Sequence, residues 1–256
     1  MLVLTNKLNN NVVKKLASCS DGLTFYIDGK EIAVVKRYQH LGHIISVQLD
    51  DKDDILAKRN SFCGKINNVL CYFRSCDPLV KVKLLRHYCC DYYGSVIWNL
   101  SHNSIEDICV AWRKGLRRIL SLPYNTHSRL ISPVCDFLPV REELICRCVS
   151  FIMKCLNSCN SVVHSVSRNG IYGMRMLSPI GANVQFCCNY YGMSPNYIPY
   201  VNKRLAWTVL WNSVIAADLD KINLIKELLS VKFHKGQISL FCESEVYFMI
   251  WFLCTS

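Results

Sequence analysis

The feature that most constrains this chain is a change of hydrophobic period at Asp50. Before it, apolar residues alternate as they do in half-buried strands. Leu23-Thr24-Phe25-Tyr26-Ile27 and Ile32-Ala33-Val34-Val35 flank Asp28-Gly29-Lys30. Asp-Gly tolerates positive φ at both central positions of a tight turn, so this pattern predicts a β-hairpin. Lys36-Arg37-Tyr38-Gln39-His40-Leu41-Gly42-His43-Ile44-Ile45 closes it. Gly42 there sits among apolar neighbours where a side chain would block a close backbone approach. So short a piece forms no core alone, and its outer edges call for a partner sheet.

From Asp50 onward the spacing is helical. Asp50-Asp51-Lys52-Asp53-Asp54 places carboxylates at a helix start, where the macrodipole favours them. Ile55, Phe62, Ile66, Val69 and Phe73 then recur on one face. Asp77-Pro78 opens a second helix whose apolar positions run from Leu79 to Trp98. A third runs from Ser104 to Leu120, with Ser104 as cap and Asp107 three residues on, and Pro123 stops it. A fourth covers Val140 to Ser158, and Asn202 to Leu229 makes one or two more. Between these, 165–200 is rich in Gly, Ser, Asn and Pro and reads as an irregular linker. The expected fold is α+β and mostly α. A short β-hairpin region at 1–48 leads into a helical domain at 49–164, the linker at 165–200 and a helical region at 201–256.

Composition narrows the class of partner. Of 256 residues, 51% are hydrophobic and 19% charged, which fits a packed chain rather than a disordered one. Lys and Arg number 30 against 19 Asp and Glu, a formal charge of +11. Such a surplus suits nucleic acid or an anionic membrane surface, and a merely solvated basic surface remains open beside them. The start, Met1-Leu2-Val3-Leu4-Thr5-Asn6-Lys7, is too short in apolar residues for a secretory signal. The apolar end from Val246 to Cys254 falls short of the roughly 20 residues of a helical span. The chain is expected to be soluble and intracellular, cytoplasmic or nuclear, with its 16 cysteines as reduced thiols.

The third helix carries the clearest signal. At about 100° per residue, Ile105, Ile108, Trp112, Leu116 and Ile119 form one stripe, with Arg113, Lys114, Arg117 and Arg118 opposite. Cations one turn apart repel unless neutralised, by a phosphate backbone or by acids from elsewhere. A second group, Lys58, Arg59, Lys65, Arg74, Lys81, Lys83 and Arg86, is interleaved with Tyr72, Tyr88, Tyr92 and Tyr93. That mixture suits a nucleic-acid groove, although Tyr92, Tyr93 and Trp98 at helical spacing read as core. Cys146, Cys148, Cys155, Cys159 and His164 invite a zinc reading. Cys146 and Cys148, however, stand about 200° apart on a helix, so structural thiols are favoured. Asp50, Asp51, Asp53 and Asp54 read as helix-capping acids rather than metal ligands. Hydrolase, phosphate-loop and zinc-protease motifs are absent, and no active site is visible.

In order along the chain, several segments resemble the C-terminal third of the reverse transcriptase of non-LTR (LINE, jockey/CR1-type) retrotransposons. They are Lys36 to Ile45, Tyr93-Gly94-Ser95-Val96-Ile97-Trp98, and Trp112-Arg113-Lys114-Gly115-Leu116-Arg117-Arg118-Ile119. Leu122-Pro123-Tyr124-Asn125-Thr126-His127-Ser128, Arg147-Cys148-Val149-Ser150-Phe151-Ile152 and the stretch from Ile225 to Ile250 complete the set. The resemblance implies that the hairpin is the end of the palm, with Tyr38, Leu41 and Gly42 in the primer grip. It implies that the following helices are the thumb. Lys58, Lys65, Arg113, Lys114, Arg117 and Arg118 would then contact the phosphates of RNA or of an RNA–DNA hybrid, weakly and with strong salt dependence. The metal-binding carboxylates of that family belong upstream of the equivalent of Leu2-Val3-Leu4. The chain alone is therefore expected to be inactive as an RNA-directed DNA polymerase. It should hold no cofactor, Mg²⁺ being a requirement of the complete polymerase, and take no small-molecule substrate or membrane. The competing reading is a helical protein-interaction or structural domain with no nucleic-acid partner.

Overall fold

A computed structural model describes residues 25–28, 30–32, 35–172, 178–214 and 216–234. The expectations for Leu23 and Thr24, for the start of the chain and for the apolar end from Val246 to Cys254 lie outside the described residues. The fold is α+β and mostly helical. Two antiparallel hairpins come first. Strands β1 (Phe25–Ile27) and β2 (Lys30–Ile32) pair with Ile27 opposite Lys30, and Asp28 takes φ +50° in the turn. Strands β3 (Arg37–His40) and β4 (His43–Ser46) pair with His40 opposite His43, which leaves Leu41 and Gly42 as a two-residue turn.

Both turn residues have positive φ, +48° at Leu41 and +77° at Gly42, the signature of a primed hairpin turn. Gly42 is required for that conformation. A Cβ there would lie 3.8 Å from Tyr93 Cδ1, an ordinary contact, so the blocked close approach expected at this glycine is not what selects it. Nor, among the described residues, does a partner sheet cover the hairpin. β4 lies against α1 (Lys52–Tyr72), with Ser46 buried, while β3 faces solvent along its length.

The helices follow as α2 (Pro78–Leu84), α3 (Ser104–Leu120), α4 (Ser128–Cys135), α5 (Val140–Leu156), α6 (Ser161–Tyr172), α7 (Pro179–Tyr191), α8 (Lys203–Asn212) and α9 (Ala216–His234). One apolar cluster runs from Ile55 to Leu229 and draws on almost all of them. At its centre α3 packs on α1. The whole predicted stripe, Ile105, Ile108, Trp112, Leu116 and Ile119, is buried, each side chain contributing about 2 kcal/mol. Gly115 lets the helices approach, because a Cβ there would collide with the end of Ile66.

Three local expectations are corrected. The helix opened by Asp77, whose carboxylate accepts the Leu79 and Val80 N–H groups, does not reach Trp98. It ends in a π-turn at Leu85–Cys89, and an irregular stretch then leads to a 3₁₀ turn at Ser95–Ile97. The chain leaves helical geometry at Cys90, and Gly94 at φ +83° turns it into the 3₁₀ segment. The α3 start is not capped by Ser104. Instead His102 Nδ1 accepts the Ser104 N–H at 3.1 Å.

The third correction concerns 165–200, which is largely helical rather than an irregular linker. Its Gly, Ser, Asn and Pro residues are the punctuation of helices, not their absence. Asn160 accepts the Val162 and Val163 N–H groups ahead of α6. Ser178 accepts from Gly181, with Pro179 at the first position of α7, and Gly192 closes that helix. Ile171, Val184, Cys187 and Ile198 from this stretch are buried in the main core.

Candidate nucleic-acid interface

The site is built on the acidic run at the start of α1. Asp54 is 1% exposed and fully engaged. Its Oδ1 accepts the Ile44 N–H of β4 at 3.0 Å, and its Oδ2 accepts the Trp98 indole N–H at 2.7 Å. His43 Nδ1 lies 2.9 Å from the same Oδ2 but out of line, a close electrostatic contact rather than a directed hydrogen bond. Asp51 accepts the Asn99 N–H at 2.7 Å, and burial pushes its carboxyl above the usual range even though that hydrogen bond pulls the other way. Asp53 pairs with Arg37 at 2.8 Å, and Asp50 with His102 at 2.9 Å. Of the four acids read as helix caps, Asp51 holds the N-cap position without a side-chain capping bond, and Asp50 just ahead of it accepts the Lys52 N–H. Together the four clamp the hairpin and the 98–102 segment onto α1. With these oxygens committed the run does not fit a Mg²⁺ site, and among the described residues no three His, Cys, Asp or Glu are grouped to hold a metal.

This clamp sets the tip of the hairpin beside residues 93–94. Gly42 faces the Tyr93 ring, and His43 sits so near Gly94 that a Cβ there would come within 3.0 Å of its Nδ1. Lys58 Nζ lies 5.8 Å from the centre of the Tyr93 ring, and Lys65 Nζ lies 5.7 Å from that of Tyr88. Lys65 also meets Asp91 loosely, at 3.9 Å. An open cleft of about 500 Å³ follows, lined by Lys65, His87, Tyr88, Asp91, Tyr93 and Arg147, with Cys90 and Tyr92 at its base. Tyr92 and Trp98 are core residues as expected, but Tyr93 is 58% exposed and belongs to the cleft. Gly94 turns the chain just after it, a break that helical spacing alone does not convey.

Of the residues expected in a primer grip, Gly42 faces this corner, while Tyr38 and Leu41 are exposed on the hairpin, Tyr38 stacked on His40 at 6.4 Å. Lys58 and Lys65, two turns apart on α1, join it. The four α3 cations do not. Arg113 pairs with Glu106 at 2.6 Å. Arg117 donates to the Thr126 carbonyl at 2.6 Å and to Ser128 Oγ at 3.2 Å. Arg118 donates to Asn67 Oδ1 at 3.0 Å, and Lys114 is exposed. Asn67 is nine residues from Lys58, about 180° around α1, so Arg118 reaches the flank opposite the cleft.

Glu106, which also receives Arg141 at 2.8 Å, is held below the usual carboxylate range by the Arg113 hydrogen bond. The expected repulsion on α3 is thus eased at Arg113, whose charge meets a carboxylate, while Arg117 and Arg118 donate to neutral oxygens. Arg147 and His87 went unnoticed as cleft residues in the sequence. The available signal was Arg147 one turn after Glu143, to which its Nε donates at 2.9 Å.

Cys146 and Cys148 are both buried, in separate clusters. Cys146 lies in a small cluster with Leu138 and Ala206, whereas Cys148 joins the main core and receives the Asn183 amide at 3.5 Å. Burial pushes the Cys146 thiol up to about 11 and Cys148 up to about 12, so both stay protonated. Asn183 also donates to the Trp98 carbonyl at 2.8 Å and accepts the Leu100 N–H at 2.9 Å, a buried bridge that the sequence did not announce.

No family model, curated protein or solved structure matches this chain. No helix among the described residues is long and apolar enough to cross a membrane.

Proposed function

We propose that this chain is a non-catalytic portion of a non-LTR retrotransposon-type reverse transcriptase whose role is to hold an RNA–DNA hybrid by its backbone. The observation that carries this reading is the convergence of the Leu41–Gly42 turn with Tyr93, Lys58 and Lys65 at one corner. A glycine turn beside two lysines and exposed rings offers a phosphate backbone both charge and a close surface. Lys114 and Arg118 lie away from this corner, Arg118 reaching Asn67 on the opposite flank of α1, and Arg113 and Arg117 serve the fold. The test is fluorescence anisotropy of the purified chain with a labelled RNA–DNA hybrid. Binding is expected at about 50 mM salt and should weaken steeply towards 200 mM. No affinity at low salt overturns the reading.

The engagement of Arg113 and Arg117 inside the protein favours the second reading, a helical interaction or structural domain without a nucleic-acid partner. Lys58→Gln with Lys65→Gln separates the two. A hybrid-binding chain loses affinity at unchanged stability, whereas a structural domain has no affinity to lose.

A further inference from the structure

We infer that the cleft beside the hairpin takes one unpaired nucleotide, its base against the Tyr88 and Tyr93 rings and its phosphate on Lys65 and Arg147. The inference rests on the hybrid-binding reading above and specifies what this corner recognises. The three tyrosines at 88, 92 and 93 differ in exposure. Tyr92 is 4% exposed, while Tyr88 and Tyr93 on either side are 54% and 58% exposed.

Phosphate contact alone needs no rings, and a base inside a duplex cannot offer its face to one. Exposed tyrosines in a cationic cleft therefore suit a base that has left the stack. The cleft is open to solvent, and its volume of about 500 Å³ has room for a small ligand but not for a double helix. Its cations are placed for a phosphate. Lys65 is bound only loosely by Asp91, and Arg147 uses Nε on Glu143 while its guanidinium lies 5.5 Å from the Tyr92 ring centre. The remaining Arg147 donors are left for the cleft, where the side chain is 40% exposed. Asp91 is half-exposed and holds the Tyr93 N–H at 3.1 Å, which fixes the backbone that carries the ring. Its carboxylate repels a phosphate but accepts from base N–H groups, so it orients the nucleotide with its base inward.

The experiment compares three labelled RNA–DNA hybrids by anisotropy with the full chain: blunt, with one unpaired terminal nucleotide, and with an abasic residue in that place. The overhang is expected to bind about tenfold tighter than the blunt hybrid, as base stacking on aromatic rings yields, and the abasic residue to lose that gain. Tyr88→Leu and Tyr93→Leu should each bring the ratio of overhang to blunt affinity close to one, whatever they do to blunt affinity itself. A 5-iodouracil at the unpaired position should cross-link to Tyr88 or Tyr93, a readout independent of how the variants fold. Equal binding of all three hybrids, or a cross-link mapped elsewhere, overturns the inference and leaves the hybrid-binding reading standing. Absence of binding to the blunt hybrid and the overhang alike overturns both.

Discussion

The hairpin corner and the outer face of α3 are both rich in cations, but they differ in what those cations already touch. At the corner, Lys58 and Lys65 lie over exposed tyrosine rings, Lys65 meets Asp91 only loosely at 3.9 Å, and Asp54 is turned inward to hold the hairpin. On α3, Arg113 and Arg117 are held by a carboxylate and a backbone carbonyl. A basic stripe on a helical wheel thus counts charge without its partners, and the partners decide which face can meet a polyanion.

The largest test of this contrast is Asp54→Ala. It strands the Ile44 and Trp98 N–H donors, so stability should fall by about 3 kcal/mol in urea unfolding, with hybrid affinity lost as the hairpin comes away. Unchanged stability would mean the clamp does not organise the corner. Lys58→Gln with Lys65→Gln should weaken hybrid binding roughly tenfold and lower the salt slope by about 2, with no change in melting temperature. Arg113→Gln with Arg117→Gln should do the converse, costing about 1 kcal/mol of stability and less than twofold in affinity. If the two double variants exchange these effects, the comparison is wrong.

A smaller effect is expected at Leu41, which is 74% exposed in a left-handed turn position. Leu41→Gly should raise stability by about 1 kcal/mol. A simultaneous loss of hybrid affinity would show that the leucine side chain is used in binding.

The smallest effect concerns acid. Burial raises the Glu143 carboxyl, but hydrogen bonds from Lys203 and Arg147 more than offset this and leave it lowered, and Glu106 is likewise lowered by Arg113. A lowered folded-state value contributes stability that is present above the unfolded carboxylate range and lost as pH falls through the folded value. Asp51, raised by burial, acts in the opposite sense and favours the folded state at low pH. Urea midpoints should therefore fall on the acid side of the carboxylate range. Glu143→Gln should flatten that fall, and Asp51→Asn should steepen it.

Much of the fold was legible because it depends on period. The range of α3 and its buried stripe and the helical start after Asn202 follow from residue spacing, and the Asp77 start of α2 follows from capping chemistry. The reading of 165–200 failed because cap residues and linker residues are the same types, and only the burial of Val184 and Cys187 distinguishes them. The corner was half legible. Lys58, Lys65 and Gly42 stood out as residues, whereas Asp54 looked like one acid among four. Its role depends on Trp98, 44 positions away, which spacing cannot show.

Asn183 has a consequence for the order in which the protein is made. It supplies the partner of the Leu100 N–H, 83 residues earlier, and of the Trp98 carbonyl, 85 residues earlier. As the chain leaves the ribosome, Trp98 therefore emerges long before the amide that completes its surroundings. The segment that anchors Asp54 cannot reach its final bonding until α7 has been synthesised, so the corner at the front of the chain is finished from the back.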